Sequence, residues 1–347
     1  MRTVSRRAVR LAALTGILAA LGLALAGCDA RSAPASIFLA ESPEAGAIRD
    51  LAIVLFAIGI FVIVAVNFMV VLSVIRGRRR PESAVRQIHG HTSLEVAWTT
   101  ITALVFMAIF AATVKVMVDV TASPPPAIAQ SAFPGDTVIL KATGWRWWWA
   151  FEYSPPGVVT ANEVHVPLQK PVLVEVASGD VIHSFWVPRL MGKMDMIPGR
   201  TNYLRFVAVT PGEYIGVCAE FCGAEHARMQ FRVVAVPVKE FSDWTRAQMA
   251  PAVQPTTDLQ RAGQQAFQTN CAQCHSIRGT PAQGKIGPDL THFGSRTTLA
   301  AGTLANNPDN LARWLSNPQE VKPENLMPKQ DLGSAIAALV DYLTSLK

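Results

Sequence analysis

Cysteine is scarce in this chain, and none of it is spare. Five occur among 347 residues, at positions 28, 218, 222, 271 and 274, and every one falls within a short chemical motif. None is left over for a framework of structural disulfides. Charge is thin as well. Only 16% of residues are charged while 50% are apolar, and the mean hydropathy of +0.26 is high for a soluble protein. Membrane spans are therefore expected. The net charge is +6, but the basic residues cluster near the N-terminus and in one short loop. That distribution fits membrane topology rather than a nucleic-acid-binding face. The chain is too long for a single core, so two or three domains are expected.

Residues 1–27 read as a targeting segment, with Arg2, Arg6, Arg7 and Arg10 ahead of an apolar run that ends Leu25-Ala26-Gly27-Cys28. Small residues before a cysteine resemble a bacterial lipobox, which would lipidate Cys28; an ordinary signal peptide or an uncleaved anchor is the alternative. Residues 51–75 carry only Asn67 and Ser73 as polar residues. At 1.5 Å per residue the run spans roughly 37 Å, enough to cross a bilayer. A second apolar run covers 96–118. The loop between the two runs, ahead of the Thr92–Glu95 stretch that opens the second, carries five arginines against one acid, Glu82. The positive-inside rule puts that loop in the cytoplasm and both ends of the mature chain outside. Glu95 opens the second span in Thr92-Ser93-Leu94-Glu95, which reads as a capping box with Thr92 as N-cap.

From about residue 135 to 238 short β-runs alternate with Gly, Pro and Asp, the texture of a sandwich or barrel. Within it, Val217 to Met229 reads V-C-A-E-F-C-G-A-E-H-A-R-M. Cys218, Cys222, His226 and Met229 form a soft donor set. Thiolate, thioether and imidazole select copper, zinc or iron–sulfur chemistry over magnesium or calcium. Methionine has little use in structural zinc sites but belongs to blue-copper electron carriers. Two thiolates could bridge two copper ions, and His183 in V-I-H-S-F-W is the candidate for one more imidazole. A Cys218–Cys222 disulfide is the bland alternative.

Residues 241–257 read as a linker. Cys271-Ala272-Gln273-Cys274-His275 is the attachment signature of c-type haem. An amphipathic stretch precedes it, and Met327 follows in Asn-Leu-Met-Pro. His/Met ligation of the iron is that of cytochromes c. A merely packing role for Met327 stays open.

The copper-type motif with its upstream H-S-F-W resembles the CuA site of cytochrome c oxidase subunit II. With the haem motif behind it, the chain resembles the caa3-type form, which has a fused cytochrome c domain. The resemblance implies that Cys218 and Cys222 bridge two coppers, that His183 and His226 are terminal ligands, and that Met229 and the Glu220 carbonyl are weak ones. It implies a multidomain membrane protein: a two-helix transmembrane hairpin (28–122), an all-β cupredoxin-like Greek-key domain (123–240) and an all-α cytochrome c domain (258–347). Glu95 resembles the carboxylate at the mouth of a proton-uptake path. Within Trp145-Arg146-Trp147-Trp148-Trp149, Trp147 matches an exposed tryptophan that takes electrons from cytochrome c. If that run is one strand, Trp145, Trp147 and Trp149 share a face. Gly192 to Arg200 resembles a loop that meets the catalytic subunit, where the Glu220 carboxylate helps hold Mg²⁺. Gly287-Pro288-Asp289-Leu290 resembles the segment whose proline carbonyl orients the proximal histidine.

The implied role is to accept electrons at haem c and pass them through dinuclear copper to subunit I, which reduces O₂ and pumps protons. The implied partners are oxidase subunits I and III and a cytochrome c or another donor, with no nucleic acid. The implied location is the bacterial inner membrane, with both redox domains on the outer side. A copper-free quinol-oxidase subunit would lack the ligand set present here. A nitrous-oxide-reducing enzyme would need a large further domain for which the chain has no room.

Overall fold

The computed structural model describes residues 33–78, 90–121 and 137–347. Cys28, the targeting segment, His89 and most of the arginine loop lie outside the described residues.

Two long helices are apolar all round: α1 (Pro43–Gly77) and α2 (Thr92–Thr121). Phe61 and Phe106 are 71% and 66% exposed, which water would not tolerate along a whole helix but lipid does. The two helices contact each other and are long enough to cross a membrane. α1 begins eight residues before the apolar run, because Ser42 caps it and Pro43 fits the first turn. That N-terminal extension docks on the β-domain. Glu44 accepts from the Val207 N–H, and Glu41 pairs with Arg189 at 2.8 Å. The cap of α2 lies one residue earlier than expected. Glu95 Oε1 accepts from the His91 N–H at 3.0 Å, so His91 takes the place assigned to Thr92. The Ser93 hydroxyl, 2.9 Å from the His91 ring, helps hold that residue at the helix start.

Ten strands follow: β1 (Val138–Trp145), β2 (Trp148–Tyr153), β3 (Val159–Ala161), β4 (Glu163–Pro167), β5 (Pro171–Ser178), β6 (His183–Trp186), β7 (Met194–Met196), β8 (Asn202–Val207), β9 (Gly212–Cys218) and β10 (Gln230–Val236). They form two five-stranded sheets, ordered β3-β2-β1-β5-β8 and β4-β10-β9-β6-β7. This is the expected cupredoxin-like domain. Trp149, Phe151, Phe185 and Phe231 interlock in its core, with ring centroids 4.6 to 6.4 Å apart. Removing one such ring costs about 3–5 kcal/mol. The three shortest connecting strands, β3, β6 and β7, have too few residues to show a two-residue period, so the sequence did not display them.

The supposed linker is helical over its first half. Helix α3 (Val238–Met249) sets Phe241 and Trp244 against Tyr153, so the apolar side chains of 241–249 have a face to cover. The Pro-rich remainder is pinned rather than loose. Arg278 donates to the Gln248 carbonyl, and Ala252 N–H donates to the Arg278 carbonyl.

The last domain is helical: α4 (Asp258–Asn270), α5 (Pro308–Ser316), α6 (Pro318–Val321) and α7 (Ala335–Ser345). A two-residue ladder joins β11 (Thr298–Leu299) to β12 (Leu304–Ala305). Helices α4 and α7 cross at Gly263, where a Cβ would stand 2.1 Å from the Ala338 carbonyl oxygen. Only glycine permits that approach.

Candidate copper and haem centres

The β9–β10 connection carries the donor set, and the sheet brings His183 to it. β6 pairs with β9 so that Phe185 faces Cys218, and His183 lies at the near end of β6. Cys218 Sγ and Cys222 Sγ stand 3.7 Å apart, well beyond the roughly 2 Å of a disulfide, and both thiols are free. Each sulfur has its own imidazole. His183 Nδ1 is 3.8 Å from Cys218 Sγ, and His226 Nδ1 is 3.7 Å from Cys222 Sγ. Each also has a third donor, the Glu220 carbonyl at 3.2 Å from Cys218 and Met229 Sδ at 3.8 Å from Cys222. His183, Cys218 and Cys222 offer ligand atoms within 4.8 Å of one another, all buried. The donor set thus fits a soft, copper-type metal.

The site's electrostatics favour a cation. The contact with Cys222, aided by His183 and the Glu220 and Ser184 backbones, holds Cys218 far below the usual thiol range despite its burial. That same contact and burial push Cys222 upward. One thiolate is therefore already favoured, and a metal between the sulfurs would favour both. His183 is fully buried, and Asp180 Oδ1 lies 2.8 Å from its Nε2. Burial alone would raise the Asp180 carboxyl, but hydrogen bonds with His183, Arg146 and Val181 hold it below its ordinary range. A carboxylate behind a ligating histidine fixes the ring's tautomer and orientation. Asp180 carried no signal in the sequence, because it acts through the fold of the β5–β6 turn.

The tryptophan run is not one strand. A two-residue turn at Arg146-Trp147 splits it, and Trp145 pairs across the hairpin with Trp148. Those two rings stack at 6.5 Å, while Trp149 is fully buried in the core. Trp147 swings from the turn towards the ligand loop, and its indole N–H donates to the Cys222 carbonyl at 3.0 Å. It is 7% exposed, not exposed as its counterpart in the resemblance is. The cytochrome domain lies against that turn and covers it.

In the cytochrome domain Cys271, Cys274, His275 and Met327 line one cavity of ≈ 200 Å³. His275 Nδ1 is 2.8 Å from the Pro288 carbonyl, the contact the resemblance implied. Burial holds the His275 imidazole below its usual value, so it is neutral and free to ligate. A Cβ on Gly287 would stand 2.6 Å from the His275 ring, so glycine lets the backbone cradle it. Met327 N–H donates to Asn325 Oδ1 and its carbonyl accepts from Gln319, which fixes the segment across the cavity. These residues fit a haem held by two thioethers and a histidine. Trp147 and Trp148 form part of the same cavity wall.

The other expected residues sit elsewhere. Glu95 caps α2 far along the chain from either centre. Glu220 offers its carbonyl to the cysteine pair. The Gly192 to Arg200 loop forms β7 against β6 and approaches α1 and α2, where Gly192 lies beside Ile48 and Val120. His165 stacks on Trp244 and His292 meets the Ala250 carbonyl, both structural.

A copper-type site on a cupredoxin-like domain, a haem-type cavity beside it and two membrane-capable helices define a membrane-bound respiratory electron carrier. Residues 33–116 match the transmembrane domain of cytochrome c oxidase subunit II, residues 157–236 its periplasmic domain, and residues 260–347 cytochrome c. Cytochrome c oxidase subunit 2 of Alkalihalophilus pseudofirmus is 35% identical over 314 residues, covering 88% of this chain and 89% of that protein. Its counterpart in Bacillus subtilis is 30% identical over 352 residues, covering 95% and 96%. The solved periplasmic domain of cytochrome oxidase subunit II from Bradyrhizobium japonicum is 33% identical, with 33% of this chain and 96% of that one covered and a TM-score of 0.32. This chain belongs to the cytochrome c oxidase subunit II family. It carries the C-terminal cytochrome c domain of the caa3-type arrangement, and its enzyme class is that of a haem-copper oxidase.

Proposed function

We propose that this chain takes electrons from a cytochrome c or another donor at its cytochrome domain and hands them across its copper domain to subunit I. There O₂ is reduced to water and protons are pumped. The observation that carries this reading is the shared wall: Trp147 lines the cavity of His275 and Met327 while its indole holds the Cys222 carbonyl. When bound, a dinuclear copper centre and a covalent haem c supply one-electron couples. His183, Cys218, Glu220, Cys222, His226 and Met229 would hold the first, and Cys271, Cys274, His275 and Met327 would hold the second. The protein's own part is to keep both dry and fixed. Trp149, Phe185 and Phe231 exclude water behind the cysteines, Asp180 orients His183, and the Pro288 carbonyl orients His275.

Trp147 is the relay between the two domains rather than a docking point for a soluble protein. Glu95 guides proton uptake at the cytoplasmic end of α2, and Glu220 shares a Mg²⁺ with subunit I. Subunit III completes the complex. Both redox domains lie outside the bacterial inner membrane, with Cys28 lipidated.

The test is flash or stopped-flow reduction of the purified oxidase, preceded by metal analysis. Two coppers and one acid-stable haem per chain are expected, with haem c reduced before copper. One copper per chain, or copper reduced first by the physiological donor, overturns the reading.

A further inference from the structure

Lys322 is out of place for a lysine. It is the C-cap of α6 and is 2% exposed, although lysine is almost never fully buried unless paired. Its Nζ donates to three carbonyls: Trp147 at 2.7 Å, Arg228 at 2.8 Å and Ala300 at 3.3 Å. An ammonium has three protons, so each has an acceptor. Two of the acceptors belong to the copper domain. Trp147 is in the β1–β2 turn, and Arg228 lies between His226 and Met229. Arg228 answers by donating to the Val321 carbonyl at 3.0 Å.

A second clasp runs the opposite way. Glu163, at the start of β4 and 6% exposed, accepts from both the backbone N–H and the hydroxyl of Thr297, each at 2.8 Å. The Gln230 N–H reaches the Ala301 carbonyl at 3.0 Å. Each domain therefore sends one buried ionisable side chain into the backbone of the other. Such groups leave water only when their hydrogen bonds are met, and here they are met only in one relative placement of the two domains.

We propose that these contacts are a fixed interdomain latch, and that Lys322 is its positioning residue for electron transfer between the two domains. The inference rests on the electron path proposed above. Lys322 grips the Trp147 carbonyl while the Trp147 indole grips Cys222, so the turn is tied to both domains. The same short helix steadies the Met327 segment, because Gln319 donates to the Met327 carbonyl at 2.9 Å. The latch thus fixes the Met327 segment relative to the Cys222 segment. The pinned connection around Pro251 agrees with it, since a domain that swings between docked and free states needs a loose tether.

The experiment uses the assembled oxidase with Lys322→Met, which keeps the stem and removes the donors. Haem and copper spectra should stay as in the wild type. The first-order rate between the two domains should fall about tenfold or more, as reacting groups lose their fixed placement. That rate should also become dependent on solvent viscosity, whereas the wild-type rate should not be. A merely structural lysine would leave viscosity without effect. A variant with wild-type rate and no viscosity dependence overturns the latch. Hydrogen exchange on the wild-type complex decides the matter without any variant. The Thr297 and Gln230 amides should exchange as slowly as core amides, and exchange at the rate of exposed amides overturns the latch. Should the wild-type oxidase pass no electrons from haem c to copper, the electron path fails, while the exchange result still judges the latch.

Discussion

Trp147 and Cys222, 75 residues apart in sequence, are joined by a hydrogen bond of 3.0 Å from indole to carbonyl. The contact puts an aromatic ring from the β1–β2 turn directly behind a metal-ligand loop. Gly223, at φ +118°, makes the fit possible: a Cβ there would stand 2.9 Å from the Trp147 ring. Trp147→Phe keeps the ring and removes the donor. Flash reduction should show the step between the domains slowed about tenfold, since the ring loses its anchor. The buried carbonyl left unpaired costs about 1–3 kcal/mol, which a thermal melt will read.

Asp180 stands behind His183 at 2.8 Å and also accepts from the Arg146 N–H at 2.7 Å. Asp180→Asn keeps the shape and removes the charge. Copper affinity should fall about 10–100-fold, the usual loss when the partner of a ligating histidine is removed. Competitive titration with a copper chelator measures it, and haem content should not change.

Gly287 leaves no space for a side chain beside His275. Gly287→Ala must push the imidazole or its own backbone away, at about 1–3 kcal/mol. The haem should remain attached through Cys271 and Cys274, but its axial ligation should be disturbed. An optical spectrum and a redox titration of haem c will show this, with the copper signal intact.

His165 gives the copper domain a pH dependence of its own. Burial against Trp244 pushes its imidazole down to about 4 from the ordinary 6.5. The folded protein therefore holds it neutral, and protonation favours unfolding. Its contribution is complete above pH 6.5 and is lost as pH falls towards 4, by roughly 2–3 kcal/mol. Thermal denaturation of both proteins, wild type and His165→Phe, across that window should show wild type losing stability relative to His165→Phe as pH falls from 6.5 towards 4.

Much of this protein could be read from the chain because the informative contacts are local. The four donors Cys218, Cys222, His226 and Met229 occupy one loop, and C-x-x-C-H is five consecutive residues. The spans are visible because lipid demands about twenty apolar residues in a row. The strands long enough to show alternation were legible, while β3, β6 and β7 were not. The helix within residues 241–257 is not legible locally, because its apolar side chains cover Tyr153, a contact no local pattern displays.

The sequence alone determined which atoms are available to bind metal and haem, since ligand identity is a property of residue type. Tertiary structure decided how those atoms are aimed. His183 reaches the cysteines through the pairing of β6 with β9, and Asp180 reaches His183 through a turn. A hairpin splits the tryptophan run and turns Trp147 inward. Lys322 reads as a surface lysine until the fold brings it to the Trp147 carbonyl, 175 residues away. The physical reason is common to all four. Hydrogen bonds act over about 3 Å of space whatever the separation along the chain, so only the folded arrangement selects their partners.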